Sequence, residues 1–162
     1  MSEVHEGGCL CGRVRYRVTG APRRTLVCHC SFCQKTTGSS SYAESMFPIG
    51  AVRFTGDPTS LYSHRSDESG KLVHVNFCPG CGTTVALTFE RWPELCAISR
   101  GSFDDPNWAH VDAHIWTRSA QEGTALPSGT DCFKRSLVTL DGTPEVPDRF
   151  DEPVKVGGRE QA

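Results

Sequence analysis

Apolar and polar residues alternate along much of the chain with a period of two, the pattern typical of β-strands. The clearest case is "GRVRYRV", where Val14, Tyr16 and Val18 share one face and three arginines share the other. Six more segments are predicted to be short strands: "AVRFTG", "SLYSHRS", "KLVHVNF", "TTVALTF", "LCAISRGSF" and "HVDAHIW". The pattern therefore predicts a mainly β fold with little helix.

Turn signals and a single short helix join these strands. "DESG" predicts a hairpin turn between two strands, and "CPGCG" predicts a tight reversal before "TTVALTF". Ser31 is a candidate cap for one or two helical turns over "FCQKTT", which Gly38 would end. From Asp141 the chain is rich in proline, glycine and charge. We therefore expect one domain over residues 5–140 and a loosely attached, flexible tail over residues 141–162.

Length and charge exclude some classes of function. A chain of 162 residues is expected to form one domain. Its 17 basic and 19 acidic residues give a formal net charge of -2 and form no basic run, so we expect no nucleic-acid partner. From the polar N-terminal residues we also expect no signal peptide, and no apolar segment has membrane-spanning length. The expected location is the cytoplasm, with no membrane partner.

Nine cysteines are many for a protein of a reducing compartment. Seven of them fall in three clusters, and the other two stand alone at Cys96 and Cys132. Closely spaced cysteines without a secretory signal are more often metal ligands than disulfides. A disulfide between residues two positions apart would also be strained, whereas a metal accepts both thiolates. The clusters are "CLC" (Cys9, Cys11), "CHCSFC" (Cys28, Cys30, Cys33) and "CPGC" (Cys78, Cys81).

The "CPGC" cluster predicts one half of a tetrahedral zinc site. Its turn directs the sulfurs of Cys78 and Cys81 to one point, and two further ligands are needed. Cys9 and Cys11 can supply them, because residues i and i+2 of an extended segment point to the same side. These four thiolates would form a closed structural site that ties the N-terminal segment to a hairpin far along the chain.

The "CHCSFC" cluster offers three more sulfurs and no obvious fourth ligand. In an extended chain Cys28 and Cys30 project one way and His29 the other, and a short turn brings Cys33 round. An open fourth position separates catalytic zinc from structural zinc. The alternative is a second closed zinc site completed by another side chain, and spacing alone leaves it open.

The remaining candidates have plain structural alternatives. Cys96 is expected to be a small core residue, and Cys132 to be incidental. His29 is expected to support the site from outside the ligand set, or to lie at the surface. His110 and His114 share a strand face and are alternative ligands for the second site, although such residues are more often hydrogen-bonded surface histidines.

Four stretches resemble the glutathione-dependent formaldehyde-activating enzyme family, which also includes centromere protein V. They are "GGCLCGRVRY", "CHCSFCQKTTGSS", "FCPGCGTTVAL" and "SRGSFDDP", in the family's order and at its spacings, from about residue 5 to about residue 118. The resemblance implies a β-tent of antiparallel sheets organised around zinc. It also implies two zinc ions per chain. The structural zinc would be held by Cys9, Cys11, Cys78 and Cys81, and the catalytic zinc by Cys28, Cys30 and Cys33.

The activity implied by the resemblance is that of a carbon–sulfur lyase acting in reverse, which condenses glutathione with formaldehyde to S-(hydroxymethyl)glutathione. Three thiolates make zinc a weak activator of water, but they suit a soft fourth ligand such as a substrate thiol. Glutathione is anionic, so nearby cations are expected, and Lys35, Arg100 and Arg118 are candidates. The segment after Trp116 lacks the tryptophan that many relatives place there, which puts the identity of the substrate in question.

Two other functions remain open at this point. The protein could be a zinc enzyme that acts on another small thiol or electrophile. It could also be a non-catalytic zinc-binding interaction module.

Overall fold

The computed structural model describes residues 3–157 of the chain. They contain one α-helix, α1 (Ser31–Thr37), and thirteen strands. The strands are β1 (Val4–Gly8), β2 (Val14–Thr19), β3 (Arg24–Cys28), β4 (Tyr42–Pro48), β5 (Val52–Gly56), β6 (Ser60–Arg65), β7 (Leu72–Phe77), β8 (Thr84–Phe89), β9 (Leu95–Ser99), β10 (Ala113–Ile115), β11 (Ala125–Leu126), β12 (Asp131–Cys132) and β13 (Val154–Lys155). The predicted mainly β fold is confirmed.

The described residues divide into two compact units. The first contains residues 3–25 and 44–110, and the second contains residues 26–43 and 111–157. In the described part of the chain, no helix is long and apolar enough to cross a membrane. The proposed domain over residues 5–140 stays a prediction.

Antiparallel pairing builds the first unit. One sheet has the strand order β1-β2-β5, and the other strands of the unit pair in the order β4-β9-β8-β7-β6. The "DESG" turn joins β6 to β7, and "CPGC" joins β7 to β8, both as antiparallel neighbours. Both reversals lie where the turn residues predicted them.

The core of the first unit lies beneath β2, the strand with the clearest alternation of apolar and polar residues. Val14, Tyr16 and Val18 of β2 are buried, and they pack with Phe47, Val85 and Ile98 from other strands. Cys9 and Cys78 belong to the same cluster of buried residues. The Cys96 side chain is also in this core and 1% exposed, which confirms its prediction as a core residue. Burial raises the pKa of the Cys96 thiol to about 12, so this thiol stays neutral.

Parallel pairing, which the sequence did not predict, joins β3, β10 and β12. Strand β10 lies between β3 and β12 and is parallel to both. Its register places His114 opposite Val27, one residue before Cys28. The backbone then continues this pairing, because the N–H of His29 donates to the carbonyl of Ile115 at 3.0 Å. This pairing fixes the end of β3 from which "CHCSFC" starts.

The described part of the C-terminal segment makes backbone hydrogen bonds within the second unit. Strand β13 pairs with β11, and the N–H of Gly129 donates to the carbonyl of Phe150 at 2.9 Å. Cys132 and Asp148 bond each other through both backbone groups, at 2.9 and 2.8 Å. The assignment of residues 141–162 to a flexible tail stays a prediction, and residues 158–162 lie outside the described part. These hydrogen bonds are the observations that bear on it.

Candidate metal centres

The sulfur atoms of Cys9, Cys11, Cys78 and Cys81 lie within 4.8 Å of one another. The Sγ atoms of Cys9 and Cys11 are 3.5 Å apart, and those of Cys11 and Cys78 are 3.7 Å apart. In a tetrahedral site with zinc–sulfur bonds of about 2.3 Å, neighbouring sulfurs are about 3.8 Å apart. The four sulfurs therefore fit a zinc ion.

Turns, rather than an extended strand, bring these four sulfurs together. Cys9 follows β1 and begins a turn, in which the N–H of Gly12 donates to the Cys9 carbonyl at 3.0 Å. The extended "CLC" segment predicted from the sequence is therefore wrong in its backbone, although both sulfurs reach the same point. At "CPGC" the N–H of Gly82 closes a similar turn onto the carbonyl of Cys78 at 2.9 Å.

Backbone and hydroxyl donors point at the sulfurs of this cluster. The N–H of Val14 donates to the Cys9 sulfur at 3.3 Å, and that of Gly80 donates to the Cys78 sulfur at 3.4 Å. Bonds from the hydroxyl and backbone of Thr83 lower the pKa of the Cys81 thiol to about 5. Donors of this kind stabilise negative charge on sulfur, which a thiolate ligand carries.

Neighbouring groups shift the pKa values of Cys11 and Cys9 in opposite directions. A backbone hydrogen bond from Arg13 lowers the pKa of Cys11. The thiols of Cys9, Cys81 and Cys78 act in the opposite direction, and the pKa is raised to about 11. Burial raises the pKa of Cys9, whereas bonds from Val14 and neighbouring thiols lower it below its usual value. A bound divalent cation would stabilise all four thiolates together, because coordination deprotonates every thiol that the cation binds.

The sulfurs of Cys28, Cys30 and Cys33 form a second cluster within 4.8 Å. Among residues 3–157, no other cysteine and no histidine, aspartate or glutamate adds a ligand atom to this group. Cys28 ends β3 and Cys33 lies in the first turn of α1, so a strand end and a helix start hold the three sulfurs. Three soft donors fit zinc with one position left for another ligand.

Cys30, and not Ser31, caps the helix. Its sulfur accepts a hydrogen bond from the N–H of Cys33 at 3.4 Å, whereas Ser31 is the first helical residue. The predicted cap at Ser31 is therefore wrong by one position, while the predicted end at Gly38 is confirmed by its left-handed backbone, with φ 64°. Hydrogen bonds from the thiols of Cys28 and Cys33 lower the pKa of Cys30 to about 3, and backbone bonds from Cys33 and Phe32 act in the same direction.

His29 lies between two of these cysteines but is not part of their sulfur cluster. It is 2% exposed, so the surface alternative for this residue is wrong. Its Nε2 atom lies 3.0 Å from Nδ1 of His114, and the two imidazole rings stack. Burial first, and then His114, lower the pKa of His29 to about 4, so the ring is neutral near pH 7.

The other histidine candidates are not in the sulfur cluster either. His114 is bonded to His29, and burial lowers its pKa. His110 belongs to the first unit and is exposed. Within the described residues, therefore, none of these histidines supplies the fourth ligand that the sequence left open at the three-cysteine cluster.

The three candidate cations have different surroundings. Lys35 is exposed in the last turn of α1, and Arg118 lies over the Trp116 ring at 5.0 Å. Arg100 belongs to the first unit, where its guanidinium donates to the carbonyl of Ala109 at 3.2 and 3.3 Å.

Two polar contacts beside the three-cysteine cluster were not predicted from the sequence. One is the pairing of His29 with His114, and the other is the side chain of Gln34, which bonds two backbone carbonyls. The sequence held one signal for Gln34, because its amide side chain directly follows Cys33, the last cysteine of the cluster, in a predicted helix. Its partner Ser119 is 85 positions away and could not be found from the local sequence pattern.

The chain is similar in sequence or structure to known proteins. A protein of Halomonas elongata, described as "Putative glutathione-dependent formaldehyde-activating enzyme", is 34% identical over 93 residues. That match covers 56% of this chain and spans 59% of the relative's length. A crystal structure of a Rhodobacter sphaeroides protein is 20% identical with a TM-score of 0.49, and the match covers 61% of this chain and 87% of the other.

The family model described as "Glutathione-dependent formaldehyde-activating enzyme" matches residues 4–119. This range contains all seven clustered cysteines and most of the chain. The chain therefore belongs to the glutathione-dependent formaldehyde-activating enzyme family.

Proposed function

We propose that this protein is a zinc-dependent enzyme of the carbon–sulfur lyase type, which acts on glutathione or a glutathione S-adduct. Its reaction would be the condensation of glutathione with formaldehyde, or the reverse. Membership of the family and the description of the Halomonas relative support this class of reaction. The observation that carries the proposal is a cluster of three sulfurs with no fourth ligand atom among the described residues.

The two cysteine clusters would have different roles. Cys9, Cys11, Cys78 and Cys81 would hold a structural zinc, because four thiolates complete its tetrahedron. Cys28, Cys30 and Cys33 would hold a catalytic zinc, with the substrate thiol as the fourth ligand. When bound there, the zinc would keep that thiol ionised near neutral pH and close to its reaction partner.

The reaction itself is a simple addition. The sulfur lone pair of glutathione forms a bond to the formaldehyde carbon, and the π pair of the carbonyl moves to its oxygen. That oxygen takes up a proton and becomes the hydroxyl of S-(hydroxymethyl)glutathione, while the thiol proton leaves to solvent. Electrons and protons balance without any oxidant or reductant.

The protein's own groups prepare the site for this addition. The helix start directs the N–H of Cys33 at the Cys30 sulfur, so the ligand set is ordered before the substrate arrives. Lys35 and Arg118 belong to the same compact unit as the three cysteines, and they are the cations we assign to the glutathione carboxylates. Arg100 already donates to a backbone carbonyl in the first unit, and we do not assign it to the substrate. Clustered cysteines that bind metal instead of forming disulfides are typical of a reducing compartment, so we propose the cytoplasm as the location.

Exchange spectroscopy tests the proposed reaction. Isotope-labelled formaldehyde and glutathione equilibrate without enzyme, so the measured quantity is the acceleration of exchange between free formaldehyde and the adduct. We expect zinc-loaded protein to accelerate exchange and the Cys30→Ser variant to lose that acceleration. If glutathione fails but another small thiol succeeds, the substrate assignment is wrong. If no thiol succeeds although zinc is bound at Cys28, Cys30 and Cys33, the chain is a zinc-binding interaction module instead.

A further inference from the structure

Gln34 makes three side-chain hydrogen bonds beside the three-cysteine cluster, all within the second unit. Its Nε2 donates to the carbonyl of His29 at 2.7 Å and to the carbonyl of Ser119 at 2.9 Å. Its Oε1 accepts a hydrogen bond from Nε2 of Gln121 at 3.1 Å. The bonding capacity of the amide is thus largely used by fixed partners.

These partners determine the orientation of the amide. A carbonyl oxygen can only accept, so the atom that faces two carbonyls must be the NH₂ group. In the flipped orientation, the Oε1 atom would face both carbonyl oxygens without a shared proton. No other uncharged side chain of this length supplies two donors in one plane, and a glutamate would supply none.

The bond to His29 joins the two ends of the ligand loop. His29 lies between Cys28 and Cys30, and Gln34 directly follows Cys33 in α1. The backbone N–H of Gln34 also donates to the carbonyl of Cys30 at 3.0 Å. Gln34 therefore connects the strand side and the helix side of the three-cysteine loop through its main chain and its side chain.

The bond to Ser119 connects that loop to a distant and conformationally restricted turn. The turn begins at Trp116, the one residue other than glycine among residues 3–157 with a positive φ, at 59°. The N–H of Ser119 donates back to the Trp116 carbonyl at 2.9 Å, which closes the turn. A left-handed backbone at a bulky residue persists only where the surroundings hold it.

We infer that Gln34 is a positioning residue, which holds Cys28, Cys30 and Cys33 in metal-binding geometry and joins them to the Trp116–Ser119 turn. The inference rests on the proposed function, because that function assigns a zinc ion to these cysteines. Groups that orient metal ligands from outside typically change metal affinity by about 10- to 100-fold when they are replaced. The loss expected for Gln34 is of this size.

Competition with a coloured zinc chelator measures the effect without any assay of activity. The zinc-release step that is missing in Cys30→Ser identifies the three-cysteine site, and the other step serves as an internal reference. We expect Gln34→Met and Gln34→Glu to weaken zinc binding at the three-cysteine site by about 10- to 100-fold. Gln121→Ala is the matched control, because it removes only the exposed third bond and should leave the affinity within about twofold of wild type.

Cobalt spectra and amide exchange separate positioning from a general loss of stability. In the cobalt-loaded protein, we expect the ligand-field bands of the three-cysteine site to shift in Gln34→Met and to stay in place in Gln121→Ala. Amide exchange in the Trp116–Ser119 turn should become faster in Gln34→Met. If Gln34→Glu does not fold, Gln34→Met carries the test, because it adds no charge.

Two results would overturn the inference. The first is zinc affinity and cobalt bands in Gln34→Met that match wild type. The second is a loss of zinc affinity in Gln121→Ala equal to that in Gln34→Met. It would show that zinc affinity does not depend on the hydrogen bonds from Gln34 to the backbone carbonyls of His29 and Ser119. If instead Cys30→Ser and wild type release zinc in identical steps, the proposed function fails, whatever the Gln34 variants do.

Discussion

The sulfur of Cys11 lies 3.7 Å from the sulfur of Cys78, although 67 positions separate the two residues in the chain. A metal ion that binds both closes a loop of the chain that contains β2 to β7 and α1. Closing a long loop removes much of the conformational freedom of the unfolded chain, so a metal here stabilises the fold as well as the site. Cys9 and Cys78 also belong to the buried core of the first unit, which ties the metal site to the packing of that unit.

Replacement of Cys78 should therefore damage the whole protein. In Cys78→Ser we expect insoluble protein, or a melting temperature at least about 10 °C below wild type, as a loss of about 5 kcal/mol would give. Calorimetry of the zinc-loaded proteins measures this. A melting temperature equal to that of wild type would contradict a structural role for the four-cysteine site.

Replacement of Cys30 should have a much smaller effect on stability. Its partners Cys28 and Cys33 are close to it in sequence, so the metal closes only a short loop. In Cys30→Ser we expect one zinc fewer by elemental analysis and a melting temperature lowered by less than about 5 °C. If Cys30→Ser and Cys78→Ser lower the melting temperature equally, both sites are structural.

The strands were predictable because their alternation is local. Val14, Tyr16 and Val18 are all buried, as the pattern requires. In contrast, the predicted strands gave no sign of β3 pairing in parallel with β10, because that pairing depends on residues far apart in the chain. Strands β1, β3 and β4 lack a clear two-residue alternation and were not predicted.

The cysteine clusters were predictable for a similar reason, since cysteine spacing is visible in the sequence. What the spacing could not show is the set of groups around each sulfur. Cys30 caps α1, and His29 is buried against His114, and both facts follow from backbone geometry rather than from residue type. The residues that support a site are therefore harder to predict from the sequence than the clustered cysteines themselves.

A side chain at Gly7 should destabilise the first unit. A Cβ at this position would overlap Oη of Tyr16 and the carbonyl oxygen of Ser102, and the carbonyl is backbone that cannot turn away. Tyr16 is itself fixed, because its Oη lies 2.8 Å from the Ser102 hydroxyl oxygen. We expect Gly7→Ala to lower the free energy of unfolding by about 2 kcal/mol.

Gly50→Ala is the matched control for this change. A Cβ at Gly50 meets no atom within 4 Å, so its effect should stay within about 0.5 kcal/mol. Urea unfolding of both variants measures the difference. Equal stabilities would show that β1 can shift away from Tyr16 and Ser102 at little cost.

Removal of residues 141–162 tests whether the C-terminal segment is a flexible tail. The composition of the segment predicts no change in melting temperature. The backbone bonds from Gly129 and Cys132 to Phe150 and Asp148 favour the opposite result, because their loss would leave the donors of the second unit without these partners. On that basis, we expect the melting temperature to fall by several degrees. Removal of residues 158–162 alone is the control, and an unchanged melting temperature in both would support a separate tail.

The fourth position at Cys28, Cys30 and Cys33 should accept an external thiol. Replacement of zinc by cobalt makes this visible, because the intensity of thiolate-to-cobalt charge transfer reports the number of sulfurs bound. The two clusters offer seven sulfurs, so added glutathione should raise the intensity to that of eight. The analogue with serine in place of the cysteine of glutathione should leave it unchanged. A spectrum of eight sulfurs before any thiol is added, reduced by Cys96→Ala or Cys132→Ala, would mean that the protein itself closes the site. In that case, no coordination position remains for a substrate thiol. The result would favour a non-catalytic zinc-binding interaction module over the proposed enzyme.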